Sequence, residues 1–204
     1  MVVTPEVARA QARVRLIEAG PRVLASFPEA LSTKARAQLE RLGVEVETGV
    51  PVSDITAEGY RLGDTFIPAK TVVWAAGVAA SPLARSLGVP LDRAGRVLVE
   101  PDLSVPGHPH VFVGGDLAAV VTDGKPVPGV APAAKQMGRH VADALRARLA
   151  GRVATPFRYR DYGNLATIGR MAAIVHLGKL QLSGVLAWWF WLAAHVFFLI
   201  GFRN

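Results

Sequence analysis

A chain of 204 residues is long enough to bury a core, and its length corresponds to one or two domains. The 23 Lys and Arg residues outnumber the 16 Asp and Glu residues and give a net charge of +7, most of which falls after Gly151. No basic run is interleaved with aromatic residues, so we expect no nucleic acid partner. Cysteine is absent, which excludes disulfides, thiolate metal sites and a dithiol redox relay within these residues, and we expect no metal.

The first clear pattern is a predicted strand over residues 13–18 (RVRLIE), which ends in the acid Glu18. Residues 1–12 are ambiguous, although Thr4-Pro5-Glu6 is typical of a helix start. In dinucleotide-binding folds an acid at the end of the second strand hydrogen-bonds the adenosine ribose. A solvated residue at a strand end is the more ordinary interpretation of Glu18, and the residues alone leave both open.

The next elements follow the order expected for the second half of a nucleotide-binding domain. They are a helix over residues 32–42 with Ser32 as its cap and Gly43 as its end, a strand over residues 44–47, a hairpin arm over residues 59–67, and an apolar strand over residues 71–76 (TVVWAA) that stops at Gly77. The glycine-rich turn G-x-G-x-x-G, which should precede residue 13, does not occur in this chain. Because this turn places a pyrophosphate at a helix N-terminus, we interpret the chain as a fragment that begins midway through a nicotinamide-dinucleotide domain.

The stretch VFVGGDLA, residues 111–118, is the leading candidate for a ligand site. Its apolar start predicts a buried parallel strand, Gly114 and Gly115 leave room for a close approach, and Asp116 follows where the strand stops. Ligands of open α/β sheets bind outside the carboxyl ends of the strands, and a carboxylate accepts hydrogen bonds from the hydroxyls of a ribose or ribityl group. Gly-Gly-Asp is also ordinary turn chemistry, so the two interpretations are about equal from the residues alone.

A loop over residues 121–128 precedes a helix predicted over residues 132–149, with a proline in its first turn. The N-terminus of this helix carries positive partial charge, which favours a negatively charged group on a ligand. We therefore expect the helix to point toward the ligand of Asp116. Ala134 permits a close approach, and Gln136 lies one turn further on, although a solvated helix face is the alternative for Gln136.

The last quarter of the chain is basic, apolar and rich in tryptophan. Residues 157–182 contain β-like stretches broken at Gly163, Gly169 and Gly178. Residues 185–202 (VLAWWFWLAAHVFFLIGF) are apolar except for His195, and their length is at the threshold of a spanning helix. The combination of charge and tryptophan favours attachment to a membrane surface, with a single transmembrane helix over residues 185–202 as the alternative.

Two resemblances follow from these motifs. The run from Ser104 to Asp116 resembles the second flavin-binding motif of two-dinucleotide-domain flavoproteins. The chain is also similar to the C-terminal half of type II NADH dehydrogenases, the single-subunit NADH:quinone oxidoreductases, and this resemblance extends from Arg13 to Asn204. The segments that carry it are VFVGGDLA, GVAPAAKQMG, DYGNLATIGRMAAIV, GKLQLSG and AWWFWLAAHVFFLIGFRN. It implies an α/β fold with partial tandem dinucleotide-binding (Rossmann-like) domains, a C-terminal β-hairpin and an apolar membrane-associating helix. The implied domains are a partial NAD(H)-binding domain over residues 1–79, the C-terminal part of an FAD-binding domain over residues 80–150, and a hairpin with a membrane-associating segment over residues 151–204.

The same resemblance assigns roles to individual residues. It implies FAD contacts at Gly115, Asp116, Leu117 and Ala134, and contacts to the nicotinamide dinucleotide at Glu18, Ala76 and Gly77. It further implies that Gln136 borders flavin and quinone, and that Lys179 lies near the flavin and helps to hold the reduced ring. A lysine at a hairpin tip beside Gly178 is the alternative for Lys179. Pro132 stands where many members carry Gln in an AQ-x-A-x-Q pattern, which argues against a quinone hydrogen bond from that position.

The predicted function is electron transfer from NADH through FAD to a membrane quinone, as in a respiratory chain, with the protein positioning a flavin that supplies the chemistry. Glu18 favours NADH over NADPH because an acid repels a 2′-phosphate. We expect a peripheral enzyme at the cytoplasmic face of the cell membrane, with lipid and quinone as partners and either a homodimer or a missing N-terminal half. One alternative is an inactive membrane-associated remnant, or a half-enzyme that needs an N-terminal partner chain. Another is a sulfide:quinone or ferredoxin-type reductase, and the lack of cysteine argues against the sulfide case.

Overall fold

The computed structural model describes residues 12–77 and 79–200, so the helix start predicted at Thr4 and the end of the apolar segment at Phe202 lie outside the described residues. The described chain forms two compact units. Unit 1 takes in the described residues up to Trp74 together with those from Gly163 onward, and unit 2 is Ala75–Tyr162. The units follow packing, so the domain boundaries predicted after residues 79 and 150 stay predictions.

Unit 1 begins with a strand–helix–strand arrangement. Strand β1 (Val14–Glu18) pairs in parallel with β2 (Val44–Thr48), and helix α1 (Glu29–Arg41) connects them. The two strands and the helix confirm the predicted elements. The carboxyl ends of β1 and β2 meet where Glu18 faces Thr48, which is the edge of a parallel sheet at which ligands bind.

The predicted cap of α1 is wrong. The helix begins a turn earlier than expected, because the carbonyl of Pro28 already accepts from the N–H groups of Leu31 and Ser32. Ser32 is a buried helical residue whose hydroxyl donates to the carbonyl of Val23. Its hydroxyl therefore satisfies a buried acceptor in the preceding turn and does not cap the helix.

Residues after β2 form an antiparallel three-stranded sheet that confirms the predicted hairpin. Its strands are β3 (Val52–Ser53), β4 (Gly59–Leu62) and β5 (Thr65–Pro68). Gly63 lies in the β4–β5 turn with φ +59°, a left-handed conformation that glycine adopts at low cost.

The apolar strand predicted over residues 71–76 is wrong. These residues have no regular secondary structure, and Val73 and Trp74 are 81% and 63% exposed. A strand buried on both faces needs hydrogen-bonded neighbours, and within residues 12–77 and 79–200 no strand pairs with this segment. The apolar pattern is typical of a strand, but no strand of the described chain lies beside these residues to form a sheet with them.

The last part of unit 1 is an antiparallel sheet followed by a helix. Its elements are β12 (Asn164–Gly169), β13 (Ala172–Leu177), β14 (Leu180–Gly184) and α4 (Val185–Ile200). Ile174 packs with Leu31 and Ala35 of α1 on one face, whereas Ala173 and Val175 pack with Ala187 of α4 on the other. This alternation is the period of two expected along a strand, and it explains why β13 is buried on both faces.

Unit 2 contains short strands around one long helix. Strand β6 (Val97–Leu98) pairs in parallel with β9 (Ala118–Ala119). Two further pairs are antiparallel: β7 (Ser104–Val105) with β8 (His108–Phe112), and β10 (Val121–Thr122) with β11 (Lys125–Pro126). The helices are α2 (Leu83–Ser86) and α3 (Ala131–Leu149). The core combines Val97, Leu103, Val105, Ala133 and Met137, so the helix buries its face against the strands.

Two expectations for unit 2 need correction. The strand that leads to Asp116, β8, pairs antiparallel with β7, and its residue Val111 is exposed, so the prediction of a buried parallel strand is wrong for the described residues. A parallel strand buried on both faces needs neighbours on both sides, and within the described chain β8 has β7 alone. The predicted loop over residues 121–128 contains the β10–β11 hairpin.

No helix within the described residues is long and apolar enough to cross a membrane.

Candidate functional site

Asp116 lies in a single 3₁₀ turn, Gly115–Leu117, that follows β8, Val113 and Gly114. Gly115 has φ +67°, the left-handed conformation that favours glycine. Its N–H donates to the Sδ atom of Met137 at 3.1 Å. The turn therefore fixes the backbone beside Asp116 and leaves the Asp116 side chain exposed for contact with a ligand.

Glycines bring this turn close to helix α3. A Cβ added at Gly114 would lie 3.3 Å from the Cβ of Met137, and one added at Gly115 would lie 3.5 Å from the Cβ of Ala134. A Cβ added at Gly129, just before the helix, would lie 3.2 Å from Oδ1 of Asp116. The Asp116 carboxylate thus lies beside the residues that lead into α3, as the sequence predicts.

The N-terminus of α3 has no side-chain cap. Val130 occupies the N-cap position, Pro132 lies in the first turn, and the first turn carries no acidic residue. The exposed N–H groups and the helix dipole give this end a positive partial charge that favours a negatively charged or hydrogen-bond-accepting group. A polar ligand held by Asp116 would therefore meet a favourable helix terminus.

Gln136 makes two hydrogen bonds to one residue. Its Nε2 donates to the carbonyl of Arg160 at 2.9 Å, and its Oε1 accepts from the N–H of Arg160 at 2.9 Å. The side-chain amide is partly buried and engaged at both ends. The structure therefore places Gln136 near the start of α3, as expected, but with its hydrogen-bonding groups directed to the backbone of Arg160.

The C-terminal end of α3 contacts the strands that precede Asp116. Arg148 forms an ion pair with Asp102, donates to the carbonyl of Pro109, and lies with its guanidinium carbon 4.8 Å from the ring centre of Phe112. Burial alone would raise the pKa of the Asp102 carboxyl, but hydrogen bonds from Ser104 and from Arg148 lower that pKa below its ordinary value of 3.8. These contacts hold β8 and α3 together from the side opposite the turn.

Glu18 lies at the end of β1 in unit 1. Its Oε1 accepts from the N–H of Gly20 at 2.7 Å, which fixes the carboxylate at the carboxyl edge of the parallel pair. Ala76 and Gly77 belong to unit 2, in an exposed irregular segment in which Gly77 has φ +75°. Glu18 therefore occupies the predicted strand end, and the roles of all three residues toward a dinucleotide stay predictions.

Lys179 lies with Gly178 in the turn between β13 and β14 of unit 1 and is exposed. Gly178 has φ +57°, which suits a two-residue turn. The hairpin-tip position is confirmed, and a role of Lys179 near flavin stays a prediction.

Three residues of the site were not predicted from the sequence: Gly129, Met137 and Arg160. Met137 looks like an ordinary core residue on the buried face of α3, and nothing in the sequence indicates that its sulfur accepts from Gly115. Arg160 takes part through its backbone, which no side-chain pattern reports. Gly129 carried a usable signal, because a glycine just before a predicted helix start often permits a close approach.

Comparisons with known proteins identify a family and several relatives. The sequence profile of the family described as pyridine nucleotide-disulphide oxidoreductase matches residues 1–138. The type II NADH:quinone oxidoreductase Ndh of Mycobacterium tuberculosis is 44% identical over 95% of this chain and 44% of its own length. NdhA of the same organism is 40% identical over 95% of this chain and 43% of its own length. The chain thus spans less than half the length of these relatives.

Solved structures show the same fold. NDH2 of Plasmodium falciparum, determined in complex with NADH, has a TM-score of 0.81 at 15% identity over 90% of this chain and 54% of that chain. The sulfide:quinone oxidoreductase of Aquifex aeolicus has a TM-score of 0.74 at 17% identity over 96% of this chain and 51% of that chain. Together these likenesses confirm the predicted α/β dinucleotide-binding oxidoreductase fold.

The profile match over residues 1–138 covers more than half of the 204 residues, and the sequence relatives align with 95% of the chain, so the chain belongs to the pyridine nucleotide-disulphide oxidoreductase family and is related within it to type II NADH:quinone oxidoreductases.

Proposed function

We propose that this chain forms the C-terminal, flavin-binding and quinone-facing part of an NADH:quinone oxidoreductase. The observation that carries this proposal is the packing of the Asp116 turn against the start of α3, where Gly115, Gly129 and Ala134 keep side chains away from the carboxylate. The sequence relatives named NADH:quinone oxidoreductases support the electron donor and acceptor.

The residues of the turn fit the ribityl chain of FAD. The exposed Asp116 carboxylate can accept hydrogen bonds from ribityl hydroxyls, and Gly115, Leu117 and Ala134 border the same approach. The uncapped N-terminus of α3 would stabilise negative charge on a bound ring. A bound FAD would supply the redox chemistry between NADH, as hydride donor, and quinone, as two-electron acceptor. The chain contributes orientation and electrostatics.

The nicotinamide dinucleotide would meet Glu18, Ala76 and Gly77. The carboxylate of Glu18, held by the N–H of Gly20, suits the two hydroxyls of an adenosine ribose and would repel a 2′-phosphate. We therefore propose NADH as the preferred donor. Lys179, an exposed cation at a hairpin tip, is proposed to lie near the flavin and to favour its reduced form.

Attachment to a membrane surface is supported by the exposed apolar side chains of α4 and by the basic composition of the last quarter of the chain. Leu186 and Phe197 are each 72% exposed on this helix, and Trp189 is 54% exposed. Apolar side chains beside basic residues bind the headgroup region of a bilayer. We propose peripheral attachment at the cytoplasmic face of the cell membrane, where quinone is available.

Flavin binding by the purified chain tests the proposal. After incubation with FAD and removal of the excess, we expect a flavin absorption spectrum from the wild-type chain and its loss in Asp116→Ala. Asp143→Ala, an exposed change on α3, is the matched control and should keep the flavin, because its surface ion pair with Arg146 contributes little. Equal flavin retention by Asp116→Ala and wild type would remove Asp116 from the site.

A half-enzyme is the second candidate function, and the exposed segment around Val73 and Trp74 favours it. In this case a separate polypeptide that carries the glycine-rich turns would supply neighbouring strands for this segment. The test is to add the portion of Mycobacterium tuberculosis Ndh that lies outside the match. Flavin binding only in the mixture supports the half-enzyme, whereas binding by the chain alone contradicts it.

A further inference from the structure

The segment that leads out of unit 2, residues 157–162, runs along the unit without belonging to a sheet or helix. We call it the exit segment. Its side chains alternate: Phe157 is buried in the unit 2 core, Tyr159 packs partly against that core, and Arg158 and Arg160 are exposed. Such alternation is typical of an extended chain that covers a surface with one face.

Backbone groups of the exit segment find partners outside any sheet. The N–H of Phe157 donates to the carbonyl of Pro101 at 2.7 Å, and the N–H of Tyr159 donates to Oγ1 of Thr122 at 3.4 Å. The pair with Gln136 follows at Arg160, three residues before the chain enters unit 1 at Gly163. Because polar backbone groups need partners when they are packed against a core, these bonds decide whether the segment stays in place.

The two hydrogen bonds between Gln136 and Arg160 require an amide side chain at position 136. One end of the side chain must donate to a carbonyl while the other accepts from an N–H, both on the same residue, as two peptide groups do in a sheet. A carboxylate at position 136 would still accept from the N–H but would face the carbonyl oxygen with a second acceptor. An apolar side chain would leave both backbone groups without this partner.

The same two turns of α3 hold the Asp116 turn. Ala134 lies against Gly115, Gln136 binds Arg160, and Met137 accepts from the N–H of Gly115. The exit segment and the Asp116 turn are therefore fixed by neighbouring residues of one helix. A change at Gln136 would therefore reach the Asp116 turn through the helix.

We propose that Gln136 is a positioning residue: it fastens the exit segment to the first turns of α3, the same turns that hold the Asp116 turn. Arg160 is thereby held with its guanidinium carbon 5.6 Å from the ring centre of Tyr162, beside the start of α3. The role toward flavin and quinone rests on the proposed function, whereas the fastening itself does not.

Amide hydrogen exchange of the flavin-free chain tests the fastening. In Gln136→Met the N–H of Arg160 should exchange about ten-fold faster than in wild type, because two hydrogen bonds of modest net strength are lost. Trypsin should also cut faster after Arg158 and Arg160. Arg139→Met, an apolar substitution of an exposed residue on the same helix, is the control and should leave both measurements unchanged.

Gln136→Glu gives a pH-dependent rescue that a general loss of stability would not produce. At neutral pH the carboxylate lacks the donor for the Arg160 carbonyl, so protection of the Arg160 N–H should be lower than in wild type. Protonation on acidification restores one O–H donor, and protection, corrected for the intrinsic exchange rate, should rise again. Gln136→Met should show no such rise. This variant also keeps the proposal testable if Gln136→Met does not fold.

Wild-type exchange at Arg160 in both variants would overturn the proposal. So would a raised KM for quinone in Gln136→Glu without a change at Arg160, since that result would mean direct contact with quinone. The exchange measurement needs no FAD, NADH or quinone. A chain that never binds flavin would therefore contradict the proposed function and still report on the fastening.

Discussion

The conformation of Gly115 decides how the Asp116 turn meets α3. The φ of +67° gives the backbone the sharp turn that directs its N–H to the Met137 sulfur and leaves the Asp116 side chain exposed. The sequence predicted the position of this turn from Gly114, Gly115 and Asp116, because turn chemistry is local. It could not predict the Met137 contact, because that bond joins residues 22 positions apart through tertiary packing.

Gly115→Ala should destabilise the chain by about 1 kcal/mol, because a Cβ is costly in the left-handed conformation. The added Cβ would be 3.5 Å from the Cβ of Ala134, which is ordinary contact, so backbone strain is the cause. Gly138→Ala is the matched control: Gly138 lies inside α3 with open space around it, and alanine there should stabilise by about 0.5–1 kcal/mol. Urea unfolding measures both, and changes of the same sign would contradict the prediction.

At the scale of elements, prediction succeeded where a segment is specified by its own residues. Strand β1, helix α1, the β4–β5 hairpin and helix α3 follow from periodicity, glycine and proline, which act within a few positions. It failed at residues 71–76 and at β8, where the same apolar pattern requires neighbouring strands that the described chain does not provide. The start of α1 was misplaced because Ser32 is as suitable for a buried hydrogen bond as for a cap.

The ion pair between Asp102 and Arg148 joins helix α3 to the β7–β8 pair, and it makes this junction sensitive to acid. The pKa of Asp102 is lowered in the folded chain, so its contribution to stability is present above the unfolded value, near 3.8, and is lost as the pH falls through the folded pKa. Asp102→Asn should be less stable than wild type at neutral pH and should change less in stability below that value. Unfolding by urea as a function of pH measures this.

Asp143→Asn is the control for this acid sensitivity, because Asp143 lies on the same helix in an exposed pair with Arg146. Surface pairs of this kind contribute little, so its pH profile should follow that of the wild type. If the free energy of unfolding falls by the same amount on acidification in Asp102→Asn and in wild type, other carboxyl groups cause the fall.

For the whole molecule, the two faces of α4 separate folding from the proposed membrane binding. The face with Ala187 packs on β13 and belongs to the core of unit 1, whereas Leu186 and Phe197 are each 72% exposed. The double variant Leu186→Glu/Phe197→Glu should therefore keep the core of unit 1. It should partition into anionic lipid vesicles at least about ten-fold less, since it loses apolar side chains of roughly 1.5–3 kcal/mol each and gains repelled charges. Vesicle co-sedimentation is the measurement, and Phe66→Glu, which changes a 44% exposed residue of β5, is the control.

An equal loss of vesicle binding in the control would attribute binding to net charge. If the double variant lost no vesicle binding, the membrane contact would lie outside α4.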